Sequence, residues 1–580
     1  MTSSTDNPGK PKVFAVVLLL ALGLPLLGKG GMVAGLLIGC ALLGVPLFAL
    51  IGLITIACFI LYTGYSEPSQ FSPMVERMRG LIDQKNLVAI PLFIMSGSVM
   101  ARGQISTRLI DFARACVGWI PGGMGMSAVF ACVFFAAISG SSPATVIAIG
   151  AMMGPALVDA GYGERFSHGL LSSAGSLGIL IPPSIPMIIY PIVYQGAHIE
   201  TETLFASGFG PGMLMAVILM GYCFFYGVAN KTPRDTFKVK KVGTAAVKGF
   251  WALMFPVLIL GGIYSGIYTT VEAAAFSVVY AVLVEVYVHR ALSLKDVPET
   301  FKETGVFLGA LLVIMVSALA FDEFLHEEGV PEKLVHWIEG MELAQWQFLL
   351  MLNALLLVVG MAMDILSAMF IFVPLLAPVA LAMGVDPLHF GIIFIVNLEI
   401  GYLTPPVGLN LFVASTLFEK PLGHIIRSVV PFIGLMMIGL GVITYWDSLS
   451  IGLGYAIMGR ERPEITQTTT GSGALDDDDD EVDESSGTPD GVMTLEEMMR
   501  EAGGDNGDEG GVQTLEEMMR EAEGGGGDEG GVQTLEEMMR EAEEADQPPA
   551  DPSPENPSPD PSESMRVLTL EEMMEEAGVD

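Results

Sequence analysis

Apolar stretches long enough to cross a lipid bilayer recur along most of this chain, and that recurrence restricts its fold more than any other feature. They run through 13–28, 31–62, 87–102, 123–160, 167–195, 204–229, 249–289, 304–321, 345–385, 389–418 and 425–447. A helix needs about 20 apolar residues to cross a bilayer. In lipid only helices and closed barrels satisfy their own backbone groups. Several runs are too long for one crossing or are broken by Gly and Pro, so the sequence predicts an all-α polytopic membrane protein with about a dozen embedded elements. Val13–Leu27 follows Lys10 and Lys12 as a signal peptide would, but no small-residue cleavage site follows it. Residues 1–30 therefore read as an extra, retained membrane segment. Met74–Lys85 is amphipathic and suits a helix lying in the interface.

Charge divides the chain sharply. The net charge is -37 at pH 7, yet residues 466–580 alone carry 4 Arg, no Lys and 36 acids, or -32. Residues 31–465 read as one membrane transport domain and 466–580 as an acidic, disordered tail. Such a tail is repelled by nucleic acid and by anionic lipid. Lys231, Arg234, Lys238, Lys240, Lys241 and Lys248 put the 231–248 loop on the cytoplasmic side, and Arg460 and Arg462 put the tail there too. The five cysteines are scattered among apolar residues with no CxxC, which disfavours zinc or a disulfide framework. Gly175-Ser176-Leu177-Gly178 is no nucleophile elbow, and neither a His-Glu-x-x-His nor a phosphate loop occurs. No enzyme chemistry and no cofactor is expected.

The chain repeats itself. Shifted by 223 positions without a gap, Pro155 falls on Pro378, Gly161 on Gly384, Gly178 on Gly401, Leu180 on Leu403, and Pro182-Pro183 on Pro405-Pro406. The copies lie around 123–195 and 345–418. Paired, Gly/Pro-interrupted apolar segments at corresponding places in two halves point to the binding site of a secondary transporter. At each Pro-Pro pair the prolines remove donors and obstruct a continuing helix. Carbonyls freed upstream can coordinate a cation, and the helix that restarts downstream offers N–H groups to an anion. Ile138-Ser-Gly-Ser-Ser-Pro-Ala-Thr145 is a polar island in an apolar run of the right length for two short helices meeting at a tip, read as a re-entrant hairpin. The repeat sets Ser141 opposite Asp364, so a second tip is expected near Met363–Ala368. Small polar residues also serve helix packing, but three serines, a threonine and a proline so close together favour function. Of the intramembrane acids, Asp364 ranks above Asp159, Glu272 and Glu399 because it falls at a tip; Asp159 reads as a loop residue and Glu272 as a helix cap.

Four stretches, Ile138–Thr145, Ala174–Ile185, Gly262–Ala275 and Asn397–Gly408, closely resemble the large membrane subunit of tripartite ATP-independent periplasmic (TRAP) transporters over roughly residues 31–450. The resemblance implies an elevator-type carrier with inverted repeats, two re-entrant hairpins and two discontinuous helices. It also implies sodium coupling, organic anions (usually carboxylates) as solutes, a small membrane subunit and a periplasmic solute-binding protein. Expected at the sodium ions are Ser139, Gly140, Ser141, Gly178 and Pro182 in one copy, with Asp364, Ser367, Asn397, Gly401 and Thr404 in the other. Expected at the solute are Ser141, Ser142, Pro143, Thr145, Pro183, Ser184, Pro406, Gly408 and Asn410. This chain departs from the family in having Thr270-Val271 where Pro-Thr is usual, and Glu399 where a small apolar residue is common. Glu399 thereby adds a candidate proton or cation site. A stand-alone sodium/carboxylate symporter shares the hairpin logic, and a membrane-anchored scaffold acting through its tail is the rival from another class.

The tail has its own repeat, Thr-Leu-Glu-Glu-Met-Met beginning at Thr494, Thr514, Thr534 and Thr569. Thr at the N-cap with Glu three residues on makes a capping box. Leu495, Met498 and Met499, Leu515, Met518 and Met519, Leu535, Met538 and Met539, and Leu570, Met573 and Met574 would share apolar faces. Helices this short order only against a groove, which suggests a multivalent docking tail for a cytoplasmic partner.

Overall fold

The computed structural model describes residues 28–459 apart from 43–44, 82–83, 195–198 and 407; the Val13–Leu27 run and the four tail copies lie outside the described residues. Among the described residues the secondary structure is helix and turn, with no strand. The first half of the chain forms α1 (Lys29–Leu42), α2 (Leu47–Cys58), α3 (Ser72–Gly80), α4 (Ala89–Arg102) and α5 (Ile105–Val117). It continues as α6 (Gly123–Ser139), α7 (Ser142–Asp159), α8 (Glu164–Ser176), α9 (Ile185–Val193) and α10 (Thr201–Ala229). A connecting helix, α11 (Val239–Lys248), leads to the second half. That half forms α12 (Phe250–Tyr264), α13 (Thr270–Leu283), α14 (Val297–Glu327), α15 (Val330–Glu339) and α16 (Gln345–Ala362). Then follow α17 (Ile365–Ala382), α18 (Pro387–Gly401), α19 (Leu409–Leu417), α20 (Leu422–Tyr445) and α21 (Ile451–Met458).

The halves are copies of one another over almost their whole length. The same shift of 223 carries α7 onto α17 end for end, and the C-terminal ends of α6 and α16 coincide. α2 and α13 even share a π-helical last turn, Phe59–Thr63 in one and Val284–Val288 in the other. In the sequence the Gly and Pro identities of this register cluster between Pro155 and Pro183, and the reason is physical. At lipid-facing positions any apolar side chain serves, whereas at a break the backbone itself demands Gly or Pro. The copies differ where α3 and α4 are separate helices but α14 runs unbroken through the matching stretch.

Each half covers the other. α4 packs on α13 and α14 on α2; α8 packs on α20 and α18 on α10; α9 packs on α17 and α19 on α7. Helices cross closely at glycine. A Cβ on Gly169 of α8 would stand 2.1 Å from Ser428 O of α20. By length and composition seven helices among the described residues can each cross a membrane, or ten if each bent pair counts as one span. Large apolar side chains remain exposed along those spans, Val217, Phe225, Val257, Val358 and Ile438 among them, as lipid-facing surface requires. The segment Pro68–Gly80, which includes α3, is bent 118° from Phe48–Thr63, and α3 buries no residue.

The Gly169 crossing yields a stability test. Gly169→Ala should destabilise the protein by about 1–3 kcal/mol, because the helices must separate or distort. Gly221→Ala in α10, where nothing lies within 4 Å of the added methyl, should be neutral or slightly stabilising. Thermal unfolding in detergent reads both.

Candidate functional site

Each copy interrupts its helices twice, once between two helices and once along a broken one. In the first copy α6 ends at Ser139, Gly140 takes a left-handed turn (φ +57°), and α7 starts at Ser142. Pro143 falls in the first turn of α7, where its missing N–H leaves no hydrogen bond unmade. α8 ends at Ser176, a 3-10 turn covers Leu177–Ile179, and the cis Pro182-Pro183 pair lies in the non-helical stretch before α9. The second copy repeats the plan. α16 ends at Ala362, Asp364 caps α17, and α18 ends at Gly401 ahead of the cis Pro405-Pro406 pair and Gly408.

The two breaks of the first copy lie against each other. A Cβ on Gly178 would stand 2.5 Å from Ser141 O and 2.7 Å from Thr145 Oγ1, so only glycine permits the approach. A Cβ on Gly140 would stand 2.8 Å from Pro183 O, and Ile185 N donates to Gly140 O at 3.4 Å. Thr145 Oγ1 donates to Ser141 O at 2.8 Å and lies 3.0 Å from Ser139 Oγ; Ser184 Oγ donates to Ile179 O. Ser141 O and Thr145 Oγ1 are thus packed directly against Gly178.

The second copy is tied up differently. A Cβ on Gly401 would stand 2.6 Å from Gly360 Cα, and Tyr402 Oη accepts from Ile365 N at 3.1 Å. Asp364 accepts from Ser367 N (3.1 Å) and from Ser367 Oγ (2.6 Å), which makes it the N-cap of α17. Thr404 Oγ1 donates back to Ile400 O at 2.8 Å. Asn397 Nδ2 donates to Asn353 Oδ1 (2.7 Å) and to Ile393 O (2.8 Å). Asn353 in turn donates to Thr444 Oγ1 at 3.0 Å, so Asn397 is tied to α16 and α20, not to the Asp364 turn. Glu272 forms the expected capping box with Thr269, and Asp159 is exposed at the end of α7.

The copies also meet. Asn410 Nδ2 donates to Ser142 Oγ at 2.6 Å, which sets the N-terminus of α19 beside that of α7. Together with the Ile185–Gly140 bond, this brings the N-termini of α7, α9 and α19 to the Gly140–Ser142 turn. Ser142, Thr145, Ser184 and Asn410 are buried there, Pro406 is exposed, and Asn410 Oδ1 has no hydrogen-bond partner among the described residues.

One pairing escaped the sequence reading. Ser176 Oγ donates to Glu399 Oε1 at 2.9 Å, both residues fully buried. They stand 223 positions apart, the same place in the two copies, so the register that located the repeat also names the partner. Glu399 Oε2 and Ser173 Oγ are buried without a hydrogen-bond partner among the described residues.

A multi-span helical body in which two copies of a broken helix meet at polar tips has the organisation of a secondary transporter. A family model described as "Tripartite ATP-independent periplasmic transporter, DctM component" matches residues 34–449, and the chain belongs to that family. It is therefore a transporter subunit, not an enzyme. A Pseudomonas aeruginosa protein named C4-dicarboxylate TRAP transporter large permease protein DctM is 42% identical over 370 residues, covering 63% of this chain and 86% of the relative. The Rhodobacter capsulatus protein of the same name is 37% identical over 431 residues, covering 72% and 97%. An Oleidesulfovibrio alaskensis protein named isethionate TRAP transporter permease protein DctMQ is 40% identical over 367 residues, 63% of this chain and 57% of the relative. The YdaH transporter of Alcanivorax borkumensis has a similar fold, with a TM-score of 0.52 at 15% identity over 71% of this chain and 98% of that one.

The capping geometry of Asp364 gives a direct check. Asp364→Ala should cost about 1 kcal/mol of stability and Asp364→Asn far less, since Asn also caps. A thermal melt in detergent that shows equal losses would remove the cap from the account.

Proposed function

We propose that this chain is the large translocating subunit of a sodium-coupled TRAP transporter, importing an organic anion with a carboxylate group that a periplasmic binding protein delivers. The observation that carries this reading is the meeting of three helix N-termini at Gly140–Ser142. No Lys or Arg occurs between Ser167 and Asn230 or between Gln345 and Phe418, so a carboxylate there is met by helix N-terminal N–H groups and positive dipole ends. Ser141, Ser142, Thr145, Ser184 and Asn410 offer hydroxyl and amide groups to it, and Pro143, Pro183, Pro406 and Gly408 shape its walls. The names of relatives that specify C4-dicarboxylates and isethionate support an acidic organic solute.

The atoms packed beside Gly178, Ser141 O and Thr145 Oγ1, are hard oxygen donors, the type a hard cation takes. Pro182 has no N–H with which to occupy the Gly178 carbonyl. Ser139, Gly140, Ser141, Gly178 and Pro182 would hold one sodium ion, and Asp364, Ser367, Gly401 and Thr404 a second, with Asn397 behind it. The ions supply positive charge that offsets the incoming anion.

The α6–α7 and α16–α17 pairs act as the two re-entrant hairpins of inverted repeats. The packing of α9 on α17 and of α19 on α7 supports a body that moves as one unit past the rest, as an elevator does. A small membrane subunit completes the complex in the bacterial inner membrane, with the acidic tail in the cytoplasm and free to engage a partner there.

Two measurements test the proposal. Uptake into proteoliposomes should require an inward sodium gradient and should be lost in the Ser141→Ala, Thr404→Ala double variant; undiminished uptake with choline in place of sodium would refute the coupling. The chain purified from its own cells should bring down a small membrane protein. Full-rate transport of free solute by the chain alone would make it a stand-alone symporter.

A further inference from the structure

The segment that joins the two halves builds a second concave site. A cavity of about 1080 Å³ opens between α5 and α11, lined by Arg108, Arg114, Lys238, Lys240, Lys241 and Lys248 against two acids, Asp111 and Asp235. Arg114 Nε donates to Asp235 Oδ2 at 2.7 Å and holds that carboxyl below the usual range, so this pair is already neutralised. Arg108 donates to Lys248 O (2.8 Å) and to Gln104 Oε1 (3.2 Å), while its buried Nε has no hydrogen-bond partner among the described residues. None of the four lysines forms a salt bridge among the described residues. The N-terminus of α11 has no side-chain cap, so its positive dipole end adds to the field of Lys238, Lys240 and Lys241.

This basic cavity has an apolar rim. Phe237, Val239, Val247 and Phe250 are 54%, 74%, 77% and 49% exposed, and Trp119, which lines the cavity, lies tilted against Phe237 with ring centres 5.4 Å apart. Aromatic side chains beside lysines mark the headgroup level of a bilayer. A helix with one cationic and one apolar face lies in that plane.

We propose that this cavity is a binding site for the phosphate headgroup of an anionic phospholipid, its acyl chains lying along the apolar side of α11. A lipid satisfies both features at once. A free phosphate or a soluble acidic protein would match the lysines but leave Val239 and Val247 facing water. Because α11 is the covalent link between the halves, a lipid held there ties that link to the membrane surface. The site stands apart from the transport centre, and its test reads binding without transport, so its failure and that of the sodium proposal are distinguishable.

The test uses the full chain in neutral detergent, titrated with phosphatidylglycerol or phosphatidylcholine carrying brominated acyl chains. The signal is quenching of Trp119, taken as the difference between the chain and its Trp119→Phe variant. Phosphatidylglycerol should quench at roughly tenfold lower concentration than phosphatidylcholine, as a cluster of surface lysines near anionic headgroups implies. That preference should vanish in the Lys238→Gln, Lys240→Gln, Lys241→Gln, Lys248→Gln variant and survive in the corresponding Lys→Arg variant. All four lysines are exposed, so neither variant disturbs the core. Equal quenching by the two lipids, or a preference that persists without the lysines, would overturn the proposal. Displacement of the lipid by inorganic phosphate at equal concentration would assign the cavity to a free anion instead.

Discussion

Backbone groups cannot be left bare in lipid, and the centre of this protein is organised around that constraint. A chain that leaves the α-helix at Leu177–Ser184 must cover that stretch with protein, and every residue of it is buried; in the second copy Tyr402 and Leu403 are buried while Pro406 is exposed. The glycines show how closely this is done. Gly178 and Gly140 bring the broken helix of the first copy onto its own tip, and Gly401 brings the second against Gly360. At each contact a single methyl group would meet main-chain atoms closer than real Cβ contacts come.

Burial of the breaks also interlocks the halves. The restarted helix of each copy is covered by the other half: α9 packs on α17 and α19 on α7. The Ser176–Glu399 hydrogen bond is the plainest sign of this exchange, since it joins one position to its own counterpart. A serine and a glutamate at matching places show that duplication preserved the backbone plan while letting the chemistry diverge.

Charge follows the same division. Among the described residues cations are kept to the margins: Arg77 with Asp322, Lys420 with Glu164, and the lysines around α11. The centre relies on hydroxyls, amides and helix ends, which present partial charges without the desolvation that a buried lysine would carry.

The sequence by itself determined that this is a helical membrane protein, that it is built twice, and where each copy breaks. Apolar run length and Gly/Pro position are local properties that lipid imposes residue by residue. It also singled out Ser139–Thr145, Gly178, Asp364 and Asn410, and read Glu272 correctly as a cap. What only the tertiary structure decided is which of these residues touch. Asn410 reaches Ser142 across 268 positions, Asn397 turns to Asn353 instead of the tip, and Asp364 closes onto Ser367. The full extent of the repeat is likewise faint in the chain, because outside the breaks lipid accepts many apolar residues and leaves few identities. Contacts between halves depend on how helices cross, and crossing geometry is a property of the packed whole, not of any one segment.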